Sequence, residues 1–245
     1  MAKLFISDLH LSATRPAMVK VFLAFLEQQA NRVEALFILG DLFDQWLGDD
    51  DETDPHPAVV AALARLTASG VAVSLLHGNH DFLLGEQFAA RTGCELLPDP
   101  TVIEVQGTPV LIMHGDTLCT DDIAYQKLRA RVRDAANQSR FLALPLPMRA
   151  TEADSLRASS QQQSRLKPQT IMDVNPSAVE RTMRKHDVLH LIHGHTHRPA
   201  IHAFHIGHQR ATRIVLGDWY RQPHALFWDE TGYRVMETPL QSSPP

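Results

Sequence analysis

Cysteine is almost missing from this chain: there are two in 245 residues, Cys94 and Cys119, and no CxxC spacing. A disulfide framework and an all-cysteine zinc site are excluded, and a reducing compartment fits best. No apolar stretch approaches the roughly 18 residues of a membrane-spanning helix. The first strand is expected from about Lys3, which leaves no room for a signal peptide. A Walker-type phosphate loop and a nucleophile-elbow serine are absent too, so the sequence supports neither nucleotide-loop phosphate transfer nor an acyl-serine mechanism. Basic charge is also in deficit. Lys and Arg number 23 against 28 Asp and Glu, a net charge of −5 that argues against a broad nucleic-acid-binding face. These absences point to a cytoplasmic protein, with surface contact to a membrane left open.

Histidine, by contrast, is abundant. Of 14 histidines, His10, His77, His80, His114, His195 and His197 fall in loops that share one design. The loops are Asp8-Leu-His10, Gly40-Asp41, Gly78-Asn-His-Asp81, His114-Gly-Asp116 and Gly194-His-Thr-His197. Each follows an apolar run that reads as a buried strand: 3–7, 35–39, 71–76, 110–113 and 188–192. Ligands of open α/β sheets bind beyond the carboxyl ends of such strands. Five loops at one sheet edge therefore bring together Asp8, His10, Asp41, Asn79, His114, His195 and His197. Oxygen and imidazole donors in this mixture suit manganese, iron or zinc.

Seven ligands exceed the needs of one tetrahedral ion and match two ions sharing a carboxylate. Asp41, placed after Gly40 at a tight turn, is the expected bridge. Asp8 and His10 are expected on one side of a strand end, since residues two apart share a face. A lone Asp-x-His is more often structural; five such clusters, each after a strand, are not explained that way. Two ions roughly 3.5–4 Å apart lower the pKa of a bridging water and clamp phosphoryl oxygens while charge builds. Hydrolysis of a phosphoester or phosphoanhydride without a covalent intermediate follows.

The remaining polar residues of these loops take supporting roles. Asp81 and Asp116 are expected to accept hydrogen bonds that fix imidazole tautomers. Asp44 either does the same or caps a turn. His77 reads as a packed histidine, and His202, His205 and His208 as surface residues of a hairpin.

Helices are expected from Pro16 to about Ala30, with Val19, Phe22, Leu23 and Leu26 inward, from Pro57 to near Gly70, and between Asp81 and Gly93. Segments 101–105 and 109–113 form a hairpin through Gly107. The tail, near 200–206, 211–216, 224–228 and 233–237, reads as antiparallel strands. The whole is expected as one α/β domain over 1–245, two packed sheets with flanking helices. The stretch 122–168 breaks the rhythm. Nine basic residues (Lys127, Arg129, Arg131, Arg133, Arg140, Arg149, Arg157, Arg165, Lys167) face four acidic ones, around an apolar segment Phe141-Leu-Ala-Leu-Pro-Leu-Pro-Met148. It is expected to be a helical cap inserted over the site, suited to an anionic amphiphile or to anionic lipid.

Further blocks extend the pattern: Gly40-Asp-Leu-Phe-Asp-Gln-Trp46, Gly48-Asp-Asp50, His114-Gly-Asp-Thr-Leu-Cys-Thr-Asp-Asp122, Ile171-Met-Asp-Val-Asn175, Ile192-His-Gly-His-Thr-His-Arg-Pro199 and Val215-Leu-Gly-Asp-Trp219. The loops resemble the calcineurin-like metallophosphoesterases, dinuclear enzymes built as a ββ sandwich. With these added blocks the chain is similar, over nearly its full length, to the UDP-2,3-diacylglucosamine pyrophosphohydrolases of lipid A biosynthesis. The resemblance implies cleavage of UDP-2,3-diacylglucosamine to UMP and 2,3-diacylglucosamine 1-phosphate by a metal-bound hydroxide attacking the phosphorus nearest uridine. It implies two Mn²⁺ per subunit and a peripheral position on the cytoplasmic face of the inner membrane, without nucleic acid or an obligate protein partner.

By the same resemblance Asp8, His10, Asp41 and His197 hold one ion, and Asp41, Asn79, His114 and His195 the other. Asn79, His80, Asp122, Ser160, Ser164, Lys167 and His195 contact the substrate, with His80, Asp41, His114 and His195 at the reacting centre. The cap's basic residues are expected at the phosphates, its apolar faces at the acyl chains. Two positions depart from the family pattern: His80 stands where it usually has Arg, and Ser164 where it commonly has Asn. Gly-Asn-His-Asp is the form found in simpler phosphoesterases, so a general phosphodiesterase or nucleotide phosphatase is the alternative enzyme. A metal-free binding scaffold would have lost ligands, and none of the seven is missing.

Overall fold

Alternating helical and strand periodicities produce a layered chain. The structure, a computed structural model, describes residues 2–30, 32–168, 171–220 and 222–237. Its first half runs β1 (Ala2–Ile6), α1 (Pro16–Gln29), β2 (Val33–Ile38), α2 (His56–Ala68), β3 (Ala72–Leu75), α3 (Glu86–Thr92), β4 (Glu95–Leu96), β5 (Thr101–Val105) and β6 (Thr108–Met113). There follow a 3₁₀ turn (Asp116–Leu118), α4 (Ile123–Val132), α5 (Ala135–Leu142), α6 (Leu146–Leu166), α7 (Pro176–Lys185) and β7 (His190–His193). Strands β8 (Ala200–Ile206), β9 (Gln209–Val215), β10 (His224–Asp229) and β11 (Gly232–Glu237) complete it.

Two mixed sheets result, ordered β11-β10-β1-β2-β3-β4 and β5-β6-β7-β9-β8. The tail is antiparallel only in part. β8–β9 and β10–β11 are hairpins, yet β9 runs parallel to β7. A hairpin is a local event visible in sequence, whereas the partner of its second strand is set by tertiary packing.

Side-chain alternation in β1 assigns the layers. Leu4 and Ile6 point to the helical side, where Phe22, Phe25, Val59, Leu63 and Trp219 pack. Phe5 points the other way and stacks on Phe37, ring centroids 5.1 Å apart, between the two sheets. Truncating so buried a ring to Ala costs about 3–5 kcal/mol. In α1 it is Phe25 that turns fully inward, while Leu23 is half-buried at the margin. Gly93 caps α3 in the left-handed conformation (φ 70°), as its position implied. The third layer sets α7 against the second sheet through Val179 and Met183.

Helices α4, α5 and α6 lie between β6 and β7. Neither α4 nor α5 buries a residue. Arginines hold the insertion in place. Arg129 Nε donates to Asp116 at 2.6 Å, Arg133 to the Gly78 carbonyl at 2.9 Å, and Arg157 to both oxygens of Asp44 at 2.7 Å. Arg149, itself buried, pairs with Asp50 and donates to the Leu47 carbonyl.

Candidate metal centre

The ligand loops meet where β1, β2, β3, β6 and β7 end. β1 stops at Ile6, so the strand pleat does not align Asp8 with His10. Instead the β1 and β2 loops continue together, with Asp8 N–H donating to the Gly40 carbonyl and His10 N–H to that of Asp41. Asp8, His10, Asp41, His195 and His197 all hold the left-handed backbone region, with φ between 48° and 69°. That conformation costs non-glycine residues of order 1–3 kcal/mol each and clusters at functional sites. Two glycines permit the approach of the loops. A Cβ on Gly194 would collide with Ser7 Oγ and the Asp8 carboxylate, and one on Gly78 with the Asp41 carboxylate.

All seven expected ligands converge. His10 Nε2 lies 3.2 Å from His197 Nε2, and His197 Nε2 lies 3.3 Å from Asp8 Oδ1. At the other end Asn79 Oδ1 is 2.9 Å from His114 Nε2 and 2.8 Å from His195 Nδ1. Asp41 joins the ends: its Oδ2 is 3.7 Å from His10 Nε2 and 3.7 Å from His114 Nε2. His80 is close as well, its ring edge-on to His10 at 4.7 Å. Groups of three with ligand atoms mutually within 4.8 Å are Asp8–His10–His197, His10–Asp41–His80 and Asp8–Asp41–His114.

The electrostatics are those of a site short of positive charge. Asp8 and Asp41 are buried, and their ion pairs here are with imidazoles. Burial pushes the Asp41 carboxyl up to about 6, against the pull of His114 and His80. Burial disfavours charge on His114, yet Asp41, Asp116 and Asp8 overcome it and raise the imidazole to about 9. Burial, aided by His80, drives His10 well below the ordinary histidine value, and burial with His114 lowers His195 to about 4. Asp8, despite burial, is held low by its His197 hydrogen bond and the surrounding imidazoles. Buried His10 Nδ1 has no hydrogen-bond partner. Crowded carboxylate, amide and imidazole acceptors of this kind fit divalent cations.

Supporting residues differ from expectation. Asp81 touches no imidazole: it accepts from the backbone N–H groups of Asp41, Leu42 and Gly78 and ties two ligand loops together. Asp116 accepts from Tyr125 Oη and Arg129. A carboxylate next to a turn satisfies nearby N–H groups first, which spacing alone does not reveal. The Leu39 carbonyl orients His114 (Nδ1 at 2.9 Å), and Asp218 stands 3.4 Å from His197 Nδ1. His77 Nε2 lies 2.7 Å from the Leu84 carbonyl, a packing role, and His202, His205 and His208 are exposed.

Of the expected substrate contacts, Asp122 caps α4 and pairs with Lys167 at 2.7 Å. Ser160 is half-buried on α6, and the Ser164 side chain lies outside the described residues. Three residues at the site had no individual role in the sequence: Asp218, inside the Val215–Trp219 block, Arg157, one of the cap's basic residues, and Tyr220, which nothing in the sequence marked. Tyr220 stacks on His10 (5.4 Å, 18°). Arg157 Nη1 and His80 Nδ1 share the Asp44 carbonyl oxygen, at 3.3 and 2.9 Å, so a permanent cation sits beside the imidazole.

Comparisons place this geometry. Residues 1–199 match the family model for calcineurin-like phosphoesterases. The chain is similar to an archaeal phosphodiesterase of known structure, with a TM-score of 0.52 at 14% identity, covering 97% of this chain and 100% of that one. The UDP-2,3-diacylglucosamine hydrolase of Stenotrophomonas maltophilia is 51% identical over 242 residues, 96% of this chain and 98% of that protein. Those of Pseudomonas aeruginosa (49% over 240 residues, 98% and 100%) and Escherichia coli (51% over 222 residues, 91% and 92%) are similar to it as well. A match of that depth over both the ligand loops and the helical insertion decides the family: the chain belongs to the calcineurin-like phosphoesterases and, within them, to the UDP-2,3-diacylglucosamine hydrolases.

Proposed function

We propose that this protein hydrolyses the pyrophosphate bond of UDP-2,3-diacylglucosamine, releasing UMP and 2,3-diacylglucosamine 1-phosphate in lipid A biosynthesis. The observation that carries the chemistry is Asp41. One carboxylate oxygen stands 3.7 Å from an imidazole of each ligand group, the position of a bridge between two ions. Asp8, His10, Asp41 and His197 would hold the first ion and Asp41, Asn79, His114 and His195 the second, with Mn²⁺ the metal proposed for both. Bound there, the pair supplies hydroxide at neutral pH and offsets charge building on the phosphoryl oxygens.

The chain's own groups do the rest. Asp81 fixes the backbone of the Asp41 and Gly78 loops, which keeps the bridge and Asn79 in register. The Arg157 guanidinium, which shares the Asp44 carbonyl oxygen with His80, would face the diphosphate beside that imidazole. A leaving phosphate monoester needs little protonation, so charge there serves better than a proton donor. His80 thus takes the part that arginine plays elsewhere in the family, with Arg157 alongside.

The insertion receives the acylated sugar. Asp122, Lys167 and Ser160, with Ser164 as a family-inferred contact, would meet it, the Asp122–Lys167 pair offering donors and acceptors to sugar hydroxyls. Exposed Ile123, Leu142 and Met148 give the insertion an apolar surface beside basic Lys127, Arg131 and Arg140. That surface suits peripheral contact with the cytoplasmic face of the inner membrane. Among the described residues no helix is long and apolar enough to cross one.

A hydrolysis panel tests the reading. The acylated UDP-sugar should be turned over at least a hundredfold faster than UDP-glucosamine without acyl chains or a nitrophenyl phosphodiester. Equal rates across the panel would instead mark a general phosphodiesterase.

A further inference from the structure

The two ends of the metal centre face different neighbours. At the Asn79–His114–His195 end, the ring of Tyr125 on α4 lies 5.7 Å from that of His195. At the opposite end Tyr220 covers the ligands, its ring centroid 5.4 Å from His10 and 5.7 Å from His197. Of the insertion, the Arg157 cation also reaches Asp44 beside His80, a place for phosphate charge. A diphosphate spanning the centre would then run from Tyr125 on the insertion to Tyr220 in the segment between β9 and β10. The insertion carries the polar pair and the exposed apolar side chains that suit an acylated sugar. The nucleoside is left with the Tyr220 end, where the mechanism above gives Tyr220 itself no part.

Tyr220 has the properties a base needs. Its side chain rests on His10, yet the residue keeps 48% of its surface open. It is held still. Its N–H donates to Asp218 at 2.8 Å, and the Arg15 guanidinium sits 4.4 Å from the ring centroid. Arg15 is itself fixed by the carbonyls of Leu9, His10 and Trp219, at 3.2, 3.3 and 2.8 Å. A fixed, half-open aromatic with a cation against it is a stacking surface for a planar heterocycle. We infer that Tyr220, braced by Arg15, receives the pyrimidine of the nucleoside diphosphate substrate. The inference rests on the proposed reaction for the direction in which the substrate lies.

Calorimetry on manganese-loaded protein separates base recognition from phosphate binding. Wild-type protein should bind UMP about tenfold or more tightly than ribose 5-phosphate, since stacking is the difference between them. Tyr220→Leu keeps an apolar cover over His10 but removes the ring; it should bring UMP to the ribose 5-phosphate level while metal content holds. Tyr220→Phe should retain the preference for UMP. The inference is overturned if wild-type protein does not prefer UMP, or if Tyr220→Leu weakens both ligands equally or neither. Cleavage of the acylated UDP-sugar is followed on the same preparations. Cleavage without a preference for UMP would defeat the stacking surface alone, and a Tyr220-dependent preference without cleavage would defeat the proposed reaction alone.

Discussion

At the residue scale, the centre depends on side chains held where the backbone resists them. Five of the seven proposed ligands sit in the left-handed region, and packing between loops keeps them there. Asp41 has the most to lose. Asp41→Ala would remove the proposed bridge and leave the two proposed cations without a shared carboxylate, so metal content and kcat should fall together, kcat by more than tenfold. His10→Ala, losing one terminal ligand, should be milder; metal analysis beside steady-state rates checks both, and an Asp41→Ala protein with two ions and near wild-type rate would remove the bridge from the account. Gly194 tests the backbone side of the same argument. Its added Cβ would meet Ser7 Oγ and the Asp8 carboxylate, so Gly194→Ala should weaken manganese binding in calorimetry by at least tenfold although no ligand is replaced.

At the element scale, the insertion is fastened to the loops it covers. Arg129 and Arg133 bind the loops after β6 and β3, and Arg149 and Arg157 both bind the loop after β2, so these basic groups serve the fold as well as any phosphate. Arg149 is the most buried of them, and its partners Asp50 and Leu47 belong to one loop. Arg149→Met should loosen the start of α6: hydrogen exchange across 142–155 should quicken by about tenfold or more while the central strands stay protected. Unaltered exchange there would mean that apolar contacts, not this pair, seat the helix.

How much of this was legible follows from what kind of signal each feature leaves. Strand and loop adjoin in sequence, so apolar runs ending in Asp8, Asp41, Asn79, His114 and His195 disclosed both the strands and the convergence of these side chains. The parallel partner of β9 left no trace, because β7 lies far off in the chain. Asp81 and Asp116 misled for another reason: position beside a ligand shows proximity, but whether a carboxylate meets an imidazole or a turn's N–H groups depends on the loop's path. Tyr220 and Arg157 reach the site only by tertiary folding, from segments with no ligand of their own.

At the scale of the whole molecule, the insertion presents exposed apolar side chains. Ile123 and Met148 are 64% and 56% exposed on the insertion, among helices that bury little against the core. Replacing Ile123, Leu142 and Met148 together with Asp should cut binding to anionic phospholipid vesicles at least fivefold in sedimentation, and leave the folded protein's melting temperature within a few degrees. Equal sedimentation of both proteins would show that this face does not meet the membrane.

The central claim is a reaction with a defined bond and direction of attack. Purified protein with manganese, given UDP-2,3-diacylglucosamine in oxygen-18 water, should yield UMP and 2,3-diacylglucosamine 1-phosphate in equal amounts. Mass spectrometry should find one heavy oxygen in UMP and none in the sugar phosphate. An intact substrate, release of UDP, or heavy oxygen in the sugar phosphate would contradict the account.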